Sequence, residues 1–467
     1  MSPLNTLAGT PVIAIVGGGF SGTALAIHLM RAARAPLRLV LVEPSAELGR
    51  GLAYGPATPR HLLNVPAGRM SLLPDRPDDF LAFLRENEPA RDSGDFVPRR
   101  RYGDYVRRRL QDAIAEAGPV CFETVRGRVE CLQRVADGRL ELRVDGGRLV
   151  DADHVVLANG HFPPVIPAVL NSIADDPSFI ADPWSPDALG RVANDAPVLL
   201  VGSGLTMIDL AMELDWRGHR GPLLAVSRHG LLPQPHRPKH SRRNVSAPAG
   251  LLEVPTLRHY MRTVRAAIRA HASEGIDWRD VMVALRPLTP ELWARLPIVE
   301  RARFLRHVRA YWDAHRHRCA PEVGRRLRQW RDGGRLRVIA GRLLEVRRDG
   351  AGFAVRLRPR WGGPLQSLRA GTIINCTGPA ATLDGVRDPL LQGLLAKGAA
   401  VAGPLGLGIA IGDGYRVAGQ FADRLHYLGP LLKGTYWEAI AVPELAVHAA
   451  ALAAALFEAI RPQRSAA

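Results

Sequence analysis

The chain has 467 residues, 47% of them hydrophobic, which is ordinary for a globular protein and leaves room for about three domains. Its formal net charge of +17 rests on arginine, because only three of the 62 basic residues are lysine, and this skew indicates a codon bias rather than a nucleic-acid-binding surface. The sequence contains no recognisable nucleic-acid-binding motif, so we expect no nucleic-acid partner.

The cysteines and the apolar segments of the sequence indicate the cellular compartment in which the protein is expected. The four cysteines are scattered and form no CxxC pair, which argues against a redox-active dithiol and against a disulfide framework. No basic segment precedes the first apolar stretch, as a signal peptide would require, and no uninterrupted apolar run is long enough to span a bilayer. We therefore expect a cytoplasmic protein that is not inserted in a membrane.

An apolar strand over 12–16 runs into the glycine-rich turn GGGFSG, and a helix is predicted over 23–30. In a dinucleotide-binding unit the first glycine makes the tight turn, the second admits the pyrophosphate, and the third lets the helix pack on its strand. The positive end of the helix dipole would face the phosphates. The predicted cofactor contacts in this turn are Gly17, Gly19, Phe20, Ser21 and Gly22.

A second apolar strand over 37–42 ends on Glu43, which lies 26 residues after Gly17. A carboxylate near this position binds a ribose hydroxyl in dinucleotide-binding folds, so Glu43 is a further predicted contact. Strand, turn, helix, strand and acid in this order predict a dinucleotide site, and a purely structural glycine-rich turn is the alternative.

The next segment contains GRGLAYG and HLLNVPAGRMS, which in a flavoprotein with two dinucleotide sites would run toward the isoalloxazine ring. Gly51 would let the backbone lie against the ribitol, and Asn64 offers a donor and an acceptor to the flavin edge. Asn64 is therefore both a predicted cofactor contact and a candidate catalytic residue, and Met70 is a further predicted contact. The leucines and the valine beside Asn64 fit a core-packing role better.

Two more strands of the buried type end at a glycine that is followed by proline, one over 155–160 and one over 372–378. Gly378, at the second of these ends, is a predicted cofactor contact. A linker over 181–197 leads from the first of them into the second glycine-rich turn.

The second turn, GSGLTM, follows an apolar strand over 198–201 and has Met207 where a third glycine is expected. A helix over 207–216 and a strand over 223–226 follow. That strand ends on a hydroxyl, a guanidinium and an imidazole instead of an acid. These groups suit a 2′-phosphate, so the sequence favours NADPH, which carries this phosphate, over NADH, which does not. The alternative is that Arg228 is one more surface arginine. The predicted contacts are Gly202, Gly204, Leu205, Thr206, Ser227, Arg228 and His229.

Apolar residues three and four apart predict a helical block over 255–331. His307, His315, His317 and Cys319 have metal-ligating side chains, but residues two apart diverge on a helix, and arginines alternate with the histidines. We therefore predict no metal site. A substrate or nicotinamide contact from this stretch is favoured, and its role stays open.

The segment LGPLLKGTYWE precedes a last helix predicted over 443–460 and would aim a helix N-terminus at the pyrimidine side of a flavin. Leu428 and Gly429 are predicted cofactor contacts. Lys433 is a second candidate catalytic residue, and a solvated lysine is equally compatible with the sequence.

The predicted fold is α/β, with two Rossmann-like dinucleotide-binding domains and a helical insertion. Residues 1–165 and 335–467 are expected to form a discontinuous FAD-binding domain. Residues 190–334 are expected to form the NAD(P)H-binding domain, which includes the helical block.

The motifs, taken together, resemble a bacterial FAD/NAD(P)-binding flavoprotein family related to flavin-dependent N-hydroxylating and class B-type monooxygenases. The matching pieces cover nearly the whole chain in order: GGGFSG, GRGLAYG, HLLNVPAGRMS, FVPRRRYGDYV, ADPW, GSGLTMID, SRHGLLP, HRHRCAP, NCTGP and LGPLLKGTYWEAIAVPEL. The resemblance implies FAD on the first domain and NAD(P)H on the second. No histidine precedes Pro183 and Trp184 as in the ketone-oxidising fingerprint FxGxxxHxxxW, so a Baeyer–Villiger reaction is not favoured.

The leading hypothesis is a flavin monooxygenase that uses NADPH and O2 to hydroxylate a small substrate, with an amino acid as one candidate. Arg69 or the run 99–101 would suit the carboxylate of such a substrate. One alternative is an NAD(P)H-dependent reductase or oxidase that passes electrons to another acceptor, and the other is a flavin- and nucleotide-binding redox sensor. The substrate and the oligomeric state stay open.

Overall fold

The structure is a computed structural model, and it describes residues 9–55, 60–238, 245–380 and 382–460. The strands are β1 (Val12–Val16), β2 (Leu37–Glu43), β3 (Val120–Arg126), β4 (Val129–Arg134), β5 (Leu140–Val144), β6 (Arg148–Ala152), β7 (His154–Leu157), β8 (Phe179–Ile180), β9 (Val198–Val201), β10 (Leu223–Ser227), β11 (Leu336–Asp349), β12 (Gly352–Pro359), β13 (Gln366–Ala370), β14 (Thr372–Asn375) and β15 (Leu425–Tyr427). The helices are α1 (Phe20–Ala32), α2 (Gly51–Tyr54), α3 (Asp79–Arg85), α4 (Arg99–Ala115), α5 (Leu205–Trp216), α6 (Leu257–Ser273), α7 (Trp278–Leu285), α8 (Thr289–Arg295), α9 (Ile298–Arg303), α10 (Arg309–Arg316), α11 (Pro321–Asp332), α12 (Pro389–Ala396) and α13 (Val442–Ile460).

Of the described residues, 9–55, 67–162 and 382–460 form the first of two compact units. Its main sheet has five parallel strands in the order β15-β7-β1-β2-β3. Every residue of β1 is buried, as expected of a parallel strand that is covered on both faces. A three-stranded antiparallel sheet, β4-β5-β6, completes the unit, and α12 packs on β4.

Residues 60–66, 163–238 and 245–380 of the described chain form the second unit. Its sheet has seven strands in the order β13-β12-β11-β10-β9-β14-β8, of which β12 and β13 are antiparallel to their neighbours. The parallel part has β9 at its centre, with every residue of that strand buried. The predicted α/β fold with two Rossmann-like units and a helical insertion is confirmed.

The helical block connects two strands that are neighbours in this sheet. Strands β10 and β11 pair in parallel, with Leu223 opposite Leu336, and helices α6 to α11 lie between them in the chain. A single π-helical turn, Phe304–Val308, joins α9 to α10. The block is therefore an enlarged crossover connection, which leaves the order of the parallel strands unchanged.

The domain boundary differs from our expectation for residues 335–380. We expected these residues in the first domain, but β11 and β14 pair with β10 and β9 of the second unit. Alternating apolar residues identify a strand and do not specify which sheet it joins, because pairing depends on contacts distant in sequence. The described residues from 60 to 66 also belong to the second unit, although we expected them in the first.

Helix α13 bears on the expectation that no segment spans a membrane. It has 19 residues and a mean hydropathy of 1.4, so by length and composition alone it could cross a membrane, but Glu444, His448 and Glu458 interrupt its apolar run. Its buried residues, among them Leu445, Ala449, Leu452 and Leu456, recur three and four apart and form one stripe. The helix packs against α1, which is the arrangement of a helix that buries one apolar stripe against its own unit.

Candidate functional site

The first glycine-rich turn connects β1 to α1. Gly17 has a φ of +109°, and a Cβ atom there would lie 2.5 Å from the carbonyl oxygen of Ala158, so only glycine fits. A Cβ on Gly22 would lie 1.9 Å from the carbonyl oxygen of Gly17, which explains why α1 can pack so closely on its strand. At Gly19 the nearest heavy atom, the Cα of Gly51, would be 3.5 Å away, so the protein does not fill this space.

The end of β2 holds a carboxylate beside this turn. Glu43 accepts hydrogen bonds from the backbone N–H of Gly18 at 2.6 Å and from that of Ser45 at 2.9 Å. These bonds fix the carboxylate next to the N-terminus of α1, where Gly19 provides no side-chain cap. An open cradle at a helix N-terminus with a carboxylate at its side fits the pyrophosphate and ribose of a dinucleotide.

Most of the other predicted contacts of the first unit are buried, whereas Gly51 is exposed. Phe20 packs with the rings of Tyr54 and Tyr102 at 6.2 Å and 6.0 Å, and Gly51 begins the short helix α2. Met70 is 2% exposed and lies in the hydrophobic core. The buried residues Ser21 and Leu428 complete this group. Their contacts with a cofactor remain predictions.

The segment around Lys433 forms a 3₁₀ turn, Pro430–Gly434, rather than the start of a regular helix. The helix dipole that we expected at this position is therefore reduced to that of a single turn, because α13 begins only at Val442. The ammonium group of Lys433 lies 4.6 Å from the centre of the Trp437 ring, a cation–π contact. Gly429 precedes the turn with a φ of +153°.

The second glycine-rich turn repeats the geometry of the first. Gly202 has a φ of +122°, and a Cβ there would lie 2.4 Å from the carbonyl oxygen of Cys376. A Cβ on Gly204, the N-cap of α5, would have no neighbour within 4 Å. Met207 is fully buried, so it packs into the core at the position where a third glycine was expected. Gly378 belongs to this unit and not to the first unit, in which the expected domain boundaries placed it.

The end of β10 carries a basic cluster. Arg228 is exposed, and its backbone carbonyl accepts a hydrogen bond from the guanidinium of Arg360 at 3.2 Å. Burial, together with Arg360 and Arg228, lowers the pKa of His229, whose ring packs edge-on against Tyr311. The Ser227 hydroxyl lies 2.7 Å from that of Ser203 and accepts the N–H of Gly230, so it is part of the loop structure.

Arg360 was missed by the sequence analysis. It stacks at 4.9 Å on Trp361 at the end of β12 and reaches the end of β10 only because β11 lies between these strands. No local pattern in the sequence indicates this proximity. The parallel pairing of β10 with β11 would have been needed to find it.

Asn64 lies in a segment that packs within the second unit. Its backbone carbonyl accepts a hydrogen bond from His236 at 3.1 Å, and its half-buried side-chain amide makes no hydrogen bond with the described residues. In the same segment the buried His61 lies 3.7 Å from the Glu213 carboxylate on α5, and Arg60 stacks on Trp216. The free amide is available to a ligand, as the prediction for Asn64 requires.

Two other predicted groups are engaged within the protein. Arg101 forms an ion pair with Glu88 at 3.0 Å and belongs to the first turn of α4, not to a loop. His315 bonds to the carbonyl of Tyr311, and His317 lies 3.7 Å from Asp313. Over the described ranges, no three histidine, cysteine or acidic side chains lie close enough together to hold a metal ion.

Comparison with known proteins agrees with this geometry. Residues 14–162 match the family model described as FAD-NAD(P)-binding. By this match, the first unit carries an FAD-NAD(P)-binding domain. A search of curated proteins finds no match to the sequence.

Solved structures share the fold of the whole chain. Reduced ornithine hydroxylase from Pseudomonas aeruginosa is 16% identical, with a TM-score of 0.65 over 97% of this chain and 100% of that chain. L-lysine 6-monooxygenase from Pseudomonas syringae is 18% identical, with a TM-score of 0.65 over 96% and 99%. Ornithine N-hydroxylase from Kutzneria sp. 744, solved with reduced FAD, NADP+ and L-ornithine, is 16% identical, with a TM-score of 0.62 over 96% and 99%.

Proposed function

We propose that the protein is an FAD-dependent, NADPH-consuming monooxygenase that hydroxylates a small substrate. The observation that carries the proposal is the pair of open glycine cradles, one beside the carboxylate of Glu43 and one beside the basic cluster at the end of β10. A carboxylate suits a ribose hydroxyl and arginines suit a 2′-phosphate, so the two units are suited to different nucleotides. The fold relatives include enzymes whose names describe hydroxylation of ornithine and lysine.

In this proposal the first unit holds FAD and the second holds NADPH. Gly19 and the N-terminus of α1 receive the pyrophosphate, and Glu43 binds the adenosine ribose. Gly204 and the N-terminus of α5 receive the second pyrophosphate, and Arg228 with Arg360 binds the 2′-phosphate. FAD and NADPH, when bound by these residues, would supply the redox and oxygen-transfer chemistry.

The residues of the chain orient the reactants and exclude water. The amide of Asn64 would donate to or accept from the flavin edge, and His236 would hold its backbone in place. Lys433 would offer a positive charge from the first unit. The balanced reaction consumes NADPH, a proton, O2 and the substrate, and yields NADP+, water and the hydroxylated product. A cytoplasmic location and a substrate with an amino-acid-like carboxylate are part of the same proposal.

The test is a coupled assay with the FAD-loaded protein, NADPH and isotopically labelled dioxygen. Ornithine, lysine, cadaverine and aspartate are supplied in turn, and NADPH loss, peroxide and labelled product are measured together. One labelled oxygen per NADPH in the product of any of these substrates supports the monooxygenase. Peroxide that matches the NADPH consumed with every substrate favours the oxidase alternative, and negligible NADPH oxidation with any acceptor favours the redox sensor.

A further inference from the structure

An open cavity of about 570 Å³ lies on the helical block, between the first half of α6 and the π-helical turn that joins α9 to α10. This volume is in the range of small-molecule sites. Cationic side chains from two helices meet apolar ones there: Arg258, Arg265 and Arg303 with Leu257, Met261 and Val308.

The cavity has an excess of positive charge. Arg258 and Arg265 are seven residues apart on α6, which places them on one face about 10.5 Å apart along the axis. Both are exposed, and neither forms a hydrogen bond or an ion pair with the described residues. The carboxylate in the lining, Glu300, is already used, because it accepts the N–H of Leu257 at 2.8 Å and pairs with Arg303.

The surroundings strengthen this charge. Residues 255–332 contain 17 arginines, no lysine and eight carboxylates, so a sixth of the chain carries +9 of the total charge of +17. A codon bias alone would spread the arginines evenly and would not concentrate the excess in one block. A positive field over a cleft with apolar walls attracts anions and raises their local concentration.

The floor of the cavity is apolar and incompletely covered. The apolar residues of α6 recur three and four apart, but Tyr260 is the one that is buried, and Leu257 and Met261 remain partly exposed. Val308, at the end of the π-helical turn, contributes to the same lining. π-Helical turns are rare in proteins, and those that occur are often found at functional sites. An inorganic anion would leave these apolar side chains exposed to water, whereas a ligand with an alkyl chain would cover them.

We propose that this cavity binds a small anionic amphiphile, with a carboxylate or phosphate head held by Arg258 and Arg265 and an alkyl chain on Leu257, Met261 and Val308. Guanidinium groups match both head groups through paired N–H donors. The proposal does not rest on the flavin chemistry, because none of the residues that the proposed function gives to FAD or NADPH lines this cavity.

The first experiment is calorimetric titration of the full-length protein with butyrate, octanoate, octyl phosphate and neutral octanol. We expect octanoate or octyl phosphate to bind, and the tighter of the two identifies the head group. Each buried methylene should strengthen binding up to about fourfold, so octanoate should bind more tightly than butyrate. The proposal would be overturned if octanol bound as tightly as both anions or if butyrate and octanoate bound equally well. It would also be overturned if neither octanoate nor octyl phosphate bound.

The second experiment uses three exposed arginines of the same helix. Arg258→Ala and Arg265→Ala should each weaken binding about tenfold, the loss of one charge-assisted contact. Arg269→Ala, one turn beyond Arg265 and outside the lining, is the matched control and should bind as the parent does. All three should retain the parent's thermal midpoint and basal NADPH oxidation. An equal loss in Arg269→Ala would mean a general charge effect and would contradict the site.

Discussion

The second and third glycines of the first motif, Gly19 and Gly22, differ in what a side chain would meet. Gly19→Ala places its methyl group in space that the protein leaves open, so we expect the apoprotein's unfolding free energy to change by less than about 1 kcal/mol. The same methyl group would collide with a pyrophosphate, so FAD affinity should fall at least about tenfold. Thermal denaturation of the apoprotein and titration with FAD measure the two effects separately.

Two variants serve as controls for this prediction. Gly22→Val would put a Cβ 1.9 Å from the Gly17 carbonyl, so it should reduce both stability and FAD content. Gly204→Ala makes the change of Gly19→Ala in the other unit, and it should raise the KM for NADPH while FAD content stays unchanged. If Gly19→Ala bound FAD as well as the parent does, the cradle assignment would be wrong.

The basic cluster at the end of β10 predicts coenzyme preference. Arg228→Ala and Arg360→Ala should each raise the KM for NADPH. The loss of a fully formed charged contact corresponds to about 1.5–3 kcal/mol of apparent binding free energy. Neither should change the KM for NADH, which lacks the 2′-phosphate. Steady-state kinetics with both coenzymes measure the difference. Equal losses for NADPH and NADH would show that these arginines act on the fold rather than on the phosphate.

At the scale of elements, substitutions in α13 distinguish a helix that packs within the protein from one that is inserted in a membrane. Leu452 is fully buried in the unit, so Leu452→Ala should cost about 2–5 kcal/mol of stability. Val447 is 55% exposed on the same helix, so Val447→Ala should change stability by less than about 0.5 kcal/mol. Chemical denaturation without detergent is the measurement. Equal effects of the two substitutions would contradict the packing of this helix on α1.

The individual helices and strands could be predicted from the sequence better than the pairing of the strands in the sheets. Both glycine-rich turns, their helices and the acid at the end of β2 follow from local order, because each is fixed by a turn and an apolar period. The placement of β11 to β14 and of Arg360 depends on strand pairs distant in sequence, and no local pattern encodes these. The segment with Asn64 was recognised as a candidate site, but its packing on the second unit required the contacts of His61 and His236.

For the whole molecule, buried histidines predict sensitivity to acid. Burial lowers the pKa of both His426 and His448 to about 4, and it lowers that of His28, His154 and His219 as well. Because the unfolded chain protonates its histidines near pH 6.5, it binds more protons than the folded chain between about pH 6.5 and 4. Stability should therefore fall as the pH drops through this window, by at most about 1.4 kcal/mol per pH unit for each histidine.

Thermal midpoints measured across this pH range test the prediction. His426→Gln removes one titrating group that is 1% exposed, so the midpoint of this variant should depend less steeply on pH. His307→Gln, at an exposed position without a hydrogen bond to the described residues, is the matched control. A flat profile for the parent, or the same slope in His426→Gln, would contradict this account of the histidines.

The interrupted course of the first unit has a consequence for its synthesis. Strand β7 ends at residue 157, but its edge partner β15 begins at residue 425, and α13, which covers α1, follows later still. At about 5–20 residues per second, a ribosome takes roughly 15–50 s to bridge this interval. During that time the nascent chain carries an unpaired strand edge and an uncovered apolar helix. Most of the second unit emerges within the same interval, so it can fold before the first unit is complete.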